Sequence, residues 1–254
     1  MAGHSHSANI KYRKDRVDSQ RGKTFSKLAR DIMSAAREGG GDPSANLRLR
    51  YAIDKARQVS MPRDNIERAI KKGCGELQGE ALEEVIYEGY ATGGVAVIVQ
   101  ALTDNRHRTA PDLRHLFEKR GGNLATSGAV AWMFERSGVF VVLREGVPSE
   151  DEMMGIVLDV GAEDLITTED AYEIRSQASD FHSVGKGLEE REIAVEDARI
   201  IWVPTTTAEV ADKDAARSVL NLISALEDHD DVQAVASNYD IPDALLVELR
   251  AEGQ

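Results

Sequence analysis

Cysteine is almost missing: Cys74 is the only one in 254 residues, so no internal disulfide can form and no set of paired thiolates exists for zinc. That usage fits a reducing compartment. Long apolar runs are missing too, and Met1 leads into polar and basic residues instead of an apolar signal core. The expectation is a cytoplasmic chain with no membrane span. Aromatic residues make up only 5%, yet 42% of the chain is apolar, so Leu, Ile, Val and Ala must build the cores. At this length two or three such cores are expected.

The signatures of covalent chemistry are also lacking. There is no nucleophile elbow, no Walker loop and no pair of carboxylates at a telling spacing. The glycines at Gly39 to Gly41 and at Gly121 and Gly122 follow helices, whereas a phosphate loop precedes one. Histidines 4, 6, 107 and 115 supply no convergent set with carboxylate or thiolate partners. The sequence therefore predicts no catalytic residue, no metal and no cofactor.

A surplus of positive charge is missing from the whole chain, whose net charge is −13, and the mean alone argues against a polyanionic partner. The mean hides a division. Residues 1 to 73 hold 17 Lys and Arg against 8 Asp and Glu, a net of +9, which leaves −22 for the remainder. Such asymmetry assigns nucleic acid to the basic part and solubility to the acidic part.

Residues 1 to 22 read as a basic arm with few apolar anchors. From Thr24, the residues Phe25, Leu28, Ala29, Ile32, Met33 and Ala36 repeat at helical spacing until Gly39 to Gly41. Asp42 and Pro43 look like the N-cap and first turn of a second helix with Leu49, Ala52, Ile53 and Ala56 inward. Met61 and Pro62 open a third, short helix with Ile66, Ala69 and Ile70 inward and Gly73 as its C-cap. Residues 1 to 76 thus form a small helical domain.

Beyond Gly79 the apolar period becomes two. Val85, Tyr87 and the run from Val95 to Leu102 read as strands paired around Gly93 and Gly94. A helix from Ala110 to Lys119 and a strand from Ala129 to Phe134 follow. Residues 136 to 203 then spell β-α-β-β-α-β, the order of a ferredoxin-like domain. A helix from Lys213 to Leu226 and a strand from Asp231 to Ser237 cannot fold alone. They complete residues 77 to 135, so 77–135 plus 204–240 is expected to be a discontinuous α/β domain that receives 136–203 as an insertion. The fold class is α+β, a small helical domain followed by two α/β domains.

Three strings carry a resemblance: MAGHSHSANIKYRKDRVDSQRGKTFSKLARDI, MPRDNIERAIKKG and YEGYATGGVAVIVQALTDNRHRTAPDLRHLFEKRGGNLATSGAVAWMF. They are similar to the YebC/PmpR family, which includes the mitochondrial translational activator of cytochrome oxidase. The similarity runs from Met1 to about Ile241. It implies an N-terminal helical domain and two α/β domains. For function it implies a DNA-binding transcriptional regulator or, alternatively, a ribosome-associated factor on ribosomal RNA that eases translation through proline-rich stretches. The chain departs from the family pattern at His6 and Ser7, where relatives commonly carry Lys-Trp, and at Ala91 and Thr92, where they commonly carry Gly-Pro.

The candidate nucleic-acid contacts are Lys11, Arg13, Lys14, Arg16, Arg21 and Lys23 of the arm, and Arg48, Arg50, Lys55 and Arg57 on the second helix. Arg106 and Arg108 join them, as paired cations in an acidic region just before a helix. A second reading of that loop has Asp104 and Asn105 capping the helix while the arginines pair with local carboxylates. A second class of function, a protein-interaction adaptor using the acidic domains, also fits the charge division. Monomer is a plausible state and the oligomeric form is not readable.

Overall fold

The computed structural model describes residues 21–77, 82–145 and 147–252. The basic arm, with Lys11, Arg13, Lys14 and Arg16, lies outside the described residues. The chain forms two compact units: 1–27, 79–135 and 202–254 in one, 28–78 and 136–201 in the other.

The second unit contains most of a helical bundle. Helix α1 (Arg21–Gly39) buries Leu28, Ile32, Ala35 and Ala36, and Gly40 closes it at φ +84° with its N–H on the Ala36 carbonyl. Asp42 and Pro43 do not start the next helix. They form a turn in which the Asp42 carboxylate accepts from the Ser44 N–H and hydroxyl, and Asn46 is the N-cap. The sequence reading is corrected here by a residue with more bonds to make. Buried Asn46 accepts from the Leu49 N–H at 3.0 Å and donates to the Ala35 and Gly40 carbonyls, both at 2.8 Å. One amide thus starts α2 (Leu47–Gln58) and satisfies the open carbonyls at the end of α1.

Helix α3 (Arg63–Gly73) follows a four-residue turn in which Ser60 takes φ +62°. Its cap differs from the expectation. Cys74 is the C-cap and Gly75, at φ +77°, carries the left-handed turn, with Glu76 N–H on the Lys71 carbonyl and Gly75 N–H on the Lys72 carbonyl. Gly73 serves packing instead: a Cβ there would stand 2.5 Å from the Met33 carbonyl of α1.

The bundle shares its core with the β-α-β-β-α-β stretch formed by β4 (Phe134–Leu143), α5 (Glu150–Asp159), β5 (Asp164–Thr167), β6 (Ala171–Gln177), α6 (Phe181–Glu190) and β7 (Asp197–Pro204). The strand order β5-β6-β4-β7, with β6 antiparallel to both β4 and β5, is that of a ferredoxin-like sheet. Phe140, Met153, Val157, Ile174, Phe181 and Leu188 fill its core, with Phe140 and Phe181 stacked at 4.8 Å. Leu47 of α2 belongs to the same core and Tyr51 meets Phe181 edge-on. Gly185 makes room, since a Cβ on it would lie 2.4 Å from Leu47 Cδ2.

In the first unit β1 (Glu83–Tyr90) and β2 (Ala96–Thr103) pair in register from Glu83 with Thr103 to Tyr90 with Ala96, around Gly93 and Gly94 at positive φ. The sheet order is β3-β1-β2-β9. Along β2 the period of two sends Val97 and Val99 to α4 (Arg106–Lys119) and α7 (Lys213–Glu227), and Ala96 and Ile98 to Val130 and Phe134. The sheet is completed by β9 (Val232–Ser237), which pairs with β2.

The expected strand from Ala129 to Phe134 is absent. The edge is instead the two-residue β3 (Asn123–Leu124), and residues 125–133 form a loop ending in a single 3₁₀ turn. Val130 and Phe134 are apolar because they cover the back of the sheet, which the sequence pattern presents as strand. A parallel pair, β8 (Ala208–Glu209) with β10 (Tyr239–Asp240), and helix α8 (Asp243–Glu252) end the described chain.

Candidate nucleic-acid interface

Of the cations singled out in the sequence, the six whose side chains are described each have a carboxylate partner. On α2, Arg48 binds Glu38 and the Ser34 hydroxyl, Arg50 forms a two-pronged pair with Glu189 at 2.8 and 3.2 Å, Lys55 stands 3.5 Å from Asp197, and Arg57 pairs with Asp54. The Arg50 guanidinium is held charged by Glu189. Arg21 and Lys23 fall in the first turn of α1.

The outer face of α3 is different. Arg68, Lys71 and Lys72 lie three and four positions apart on one exposed face, and their side chains make no hydrogen bond or ion pair with any described residue. Neighbouring Arg63 is paired with Glu67 at 2.7 Å. The sequence reading placed none of the three among the candidate contacts. The same 3.6 period that revealed the inward Ile66 and Ala69 carried the signal, read from its opposite face.

Thr103 to Asn105 form the N-cap of α4, and Arg106, Arg108 and Thr109, read in the sequence as preceding that helix, lie in its first turn around a buried carboxylate. Asn105 caps α4 by accepting from Arg108 N–H at 3.1 Å. Asp231, with its side chain 3% exposed, accepts from Thr109 Oγ1 at 2.7 Å and Arg108 at 3.0 Å, and Arg108 also reaches Asp104 at 2.9 Å. Asp231 holds the Arg108 guanidinium charged. Arg106 pairs with Glu83 at 2.6 Å. Both arginines therefore have carboxylate partners, as in the capping reading of this loop.

A third arrangement left no trace in the sequence reading. Glu88, only 4% exposed on β1, accepts from the main-chain N–H groups of Gly128, Val130 and Ala131 at 2.7, 2.7 and 2.8 Å. Burial opposes its ionisation, but the three donors together hold the carboxyl below the ordinary glutamate range. The loop so fixed presents Trp132, 68% exposed, whose Nε1 donates to the Ala129 carbonyl at 3.1 Å. Tyr90 Oη donates to that same carbonyl, also at 3.1 Å. Among the described residues no three His, Cys, Asp or Glu side chains are placed to hold a metal ion, and no helix is long and apolar enough to cross a membrane.

Comparison with known proteins accounts for nearly the whole chain. Residues 5–76 match the model of the TACO1/YebC protein N-terminal domain, and residues 82–239 that of the TACO1/YebC second and third domain. A "Probable transcriptional regulatory protein" of Halothermothrix orenii is 52% identical over 253 residues, covering 99% of this chain and 100% of the relative. One of the same description from Thermotoga petrophila is 51% identical, with both chains covered completely. The crystal structure of a conserved hypothetical protein from Aquifex aeolicus superposes with a TM-score of 0.81 at 49% identity, covering 90% of this chain and 94% of that one. By sequence along its length and by fold, the chain belongs to the TACO1/YebC family.

Proposed function

We propose that this protein is a cytoplasmic, non-enzymatic regulator of transcription that binds nucleic acid through the outer face of α3, assisted by the basic arm. The observation that carries the reading is the trio Arg68, Lys71 and Lys72, whose side chains have no ion pair among the described residues, whereas Arg48, Arg50, Lys55 and Arg57 of α2 are each bound to a carboxylate. A cation released from internal pairing exchanges condensed counterions for phosphate at no cost to the fold. The four-residue turn between α2 and α3 also has the length found in helix-turn-helix modules, whose second helix meets duplex DNA. The printed names of the relatives agree with a regulator.

The test compares the full chain with an R68Q/K71Q/K72Q variant on duplex DNA and on a structured RNA of equal length, across a salt series. On the preferred nucleic acid the triple variant loses at least tenfold in affinity, and its log–log salt slope on duplex falls by roughly 2.7, three contacts' worth. An R50Q variant serves as a control that leaves the slope unchanged. Equal binding by triple variant and parent sinks the assignment of α3, and clear preference for RNA transfers the regulator from transcription to the ribosomal RNA reading.

A further inference from the structure

Trp132 is one of two tryptophans in the chain, and the only large aromatic side chain among the exposed hydrophobic residues described. Its setting is constructed. The Glu88 carboxylate fixes the loop from below through three main-chain donors, and the indole N–H is spent on the Ala129 carbonyl. With its one donor satisfied inside the protein, the ring has only its π surface to offer. Ordering is largely complete before any ligand arrives, so little side-chain entropy remains to be lost on contact.

The surroundings indicate what that surface takes. Ser127 and Gly128 on the same loop are exposed, and so is Thr205, which is bonded to the Met133 carbonyl through both its N–H and its hydroxyl. Gly128, at φ +87°, has open space where a side chain would be. No second large exposed hydrophobic residue lies on residues 125–133 or 204–208. An anchor for a protein partner sits at the centre of an apolar patch, sealed by a ring of contacts. A solitary ring among hydroxyls and open main chain suits a flat, polar-edged, uncharged group. A nucleobase is such a group.

We propose that Trp132 is a stacking platform for an unpaired nucleobase, so that the protein recognises nucleic acid at a single-stranded or looped position. This rests on the nucleic-acid reading above, and it adds a preference that cations alone do not give, because bases in a duplex are already stacked.

The experiment uses the full chain carrying Trp202→Phe, which leaves Trp132 as the sole tryptophan, excited selectively at the red edge, with an unstructured 12-nucleotide single strand and a blunt duplex as probes. The single strand quenches Trp132 emission, and Trp132→Ala weakens single-strand binding roughly 5- to 100-fold while duplex binding holds. Trp132→Tyr restores most of the loss, at a melting temperature equal to that of the parent. Absence of quenching, together with unchanged affinity in Trp132→Ala, overturns the platform and leaves α3 in place. An equal loss on both probes overturns it too. Blue-shifted emission on concentrating the protein without oligonucleotide makes Trp132 a contact between copies instead, and failure of the parent to bind either probe removes both readings.

Discussion

The Glu88 carboxylate and the Val130 main-chain N–H meet at 2.7 Å, across 42 residues of sequence. This contact, with its companions to Gly128 and Ala131, substitutes one buried side chain for the strand partner that the loop lacks. Changing Glu88 to Gln keeps the size but turns a donor toward groups that are themselves donors. The expected cost is about 1.5 to 3 kcal/mol, read as a lower melting temperature with Trp132 emission changed. Because folding lowers the Glu88 pKa, its contribution is complete above the unfolded value near 4.5 and vanishes as pH falls through the folded value. The gap between parent and Gln variant should therefore close on acidification below pH 4. A gap that is constant with pH would show that the charge of Glu88 is not what matters.

Gly73 inverts a common expectation. Replacing a helical glycine by alanine ordinarily gains about 0.4 to 1 kcal/mol from the unfolded chain. Here the new methyl meets the Met33 carbonyl at 2.5 Å and the Ala36 methyl at 2.8 Å, and a main-chain carbonyl cannot step aside. Gly73→Ala is expected to destabilise by about 1 to 3 kcal/mol in denaturant unfolding. Stabilisation would mean that α1 and α3 are further apart than described.

Leu47 and Gly185 form a knob and its socket. Leu47→Ala should cost about 2 to 5 kcal/mol by emptying a core position, and Gly185→Ala about 1 to 3 kcal/mol by crowding it. Together they should cost clearly less than their sum, because the added methyl enters the space that Leu47 vacates. Strict additivity in the double-mutant cycle would separate the two sites.

Arg106 and Arg108 should differ on replacement by Gln. Arg106 shares a half-exposed pair with Glu83, so its loss changes stability by less than about 1 kcal/mol. Arg108 is half exposed itself but serves Asp231, which is buried, so its removal leaves a buried carboxylate short of a donor and is expected to lower the melting temperature more than the loss of Arg106 does. Melting temperatures of the two single variants decide this. A fall in nucleic-acid affinity for Arg106→Gln at unchanged melting temperature would restore that arginine to the interface.

What was legible in the sequence is what repeats. The inward faces of the three helices, the hairpin at Gly93 and Gly94 and the β-α-β-β-α-β order each rest on several residues reporting one period. What was not legible rests on single side chains acting over distance. Asn46 looks like any loop amide until its three bonds to both helices are seen. Glu88 breaks the pattern of its strand, and its partners are main-chain groups that carry no residue signature. Val130 shows why burial alone misleads: a loop that covers a sheet is as apolar as a strand within one. For the interface, charge counting found the basic region, but it cannot separate Arg50, which has a carboxylate, from Arg68, which has none among the described residues.

The docking of Leu47 and Arg50 onto α6 sets a timetable for synthesis. Arg50 precedes Glu189 by 139 residues, and at 5 to 20 residues per second that interval lasts about 7 to 28 seconds. Throughout it the nascent bundle displays Leu47 and Tyr51 with no core to enter, while Arg50 and Lys55 stay unneutralised. The emerging chain is thus most basic before residues 74 to 254 are made, and the carboxylates that neutralise Arg50 and Lys55 are among the later residues to arrive.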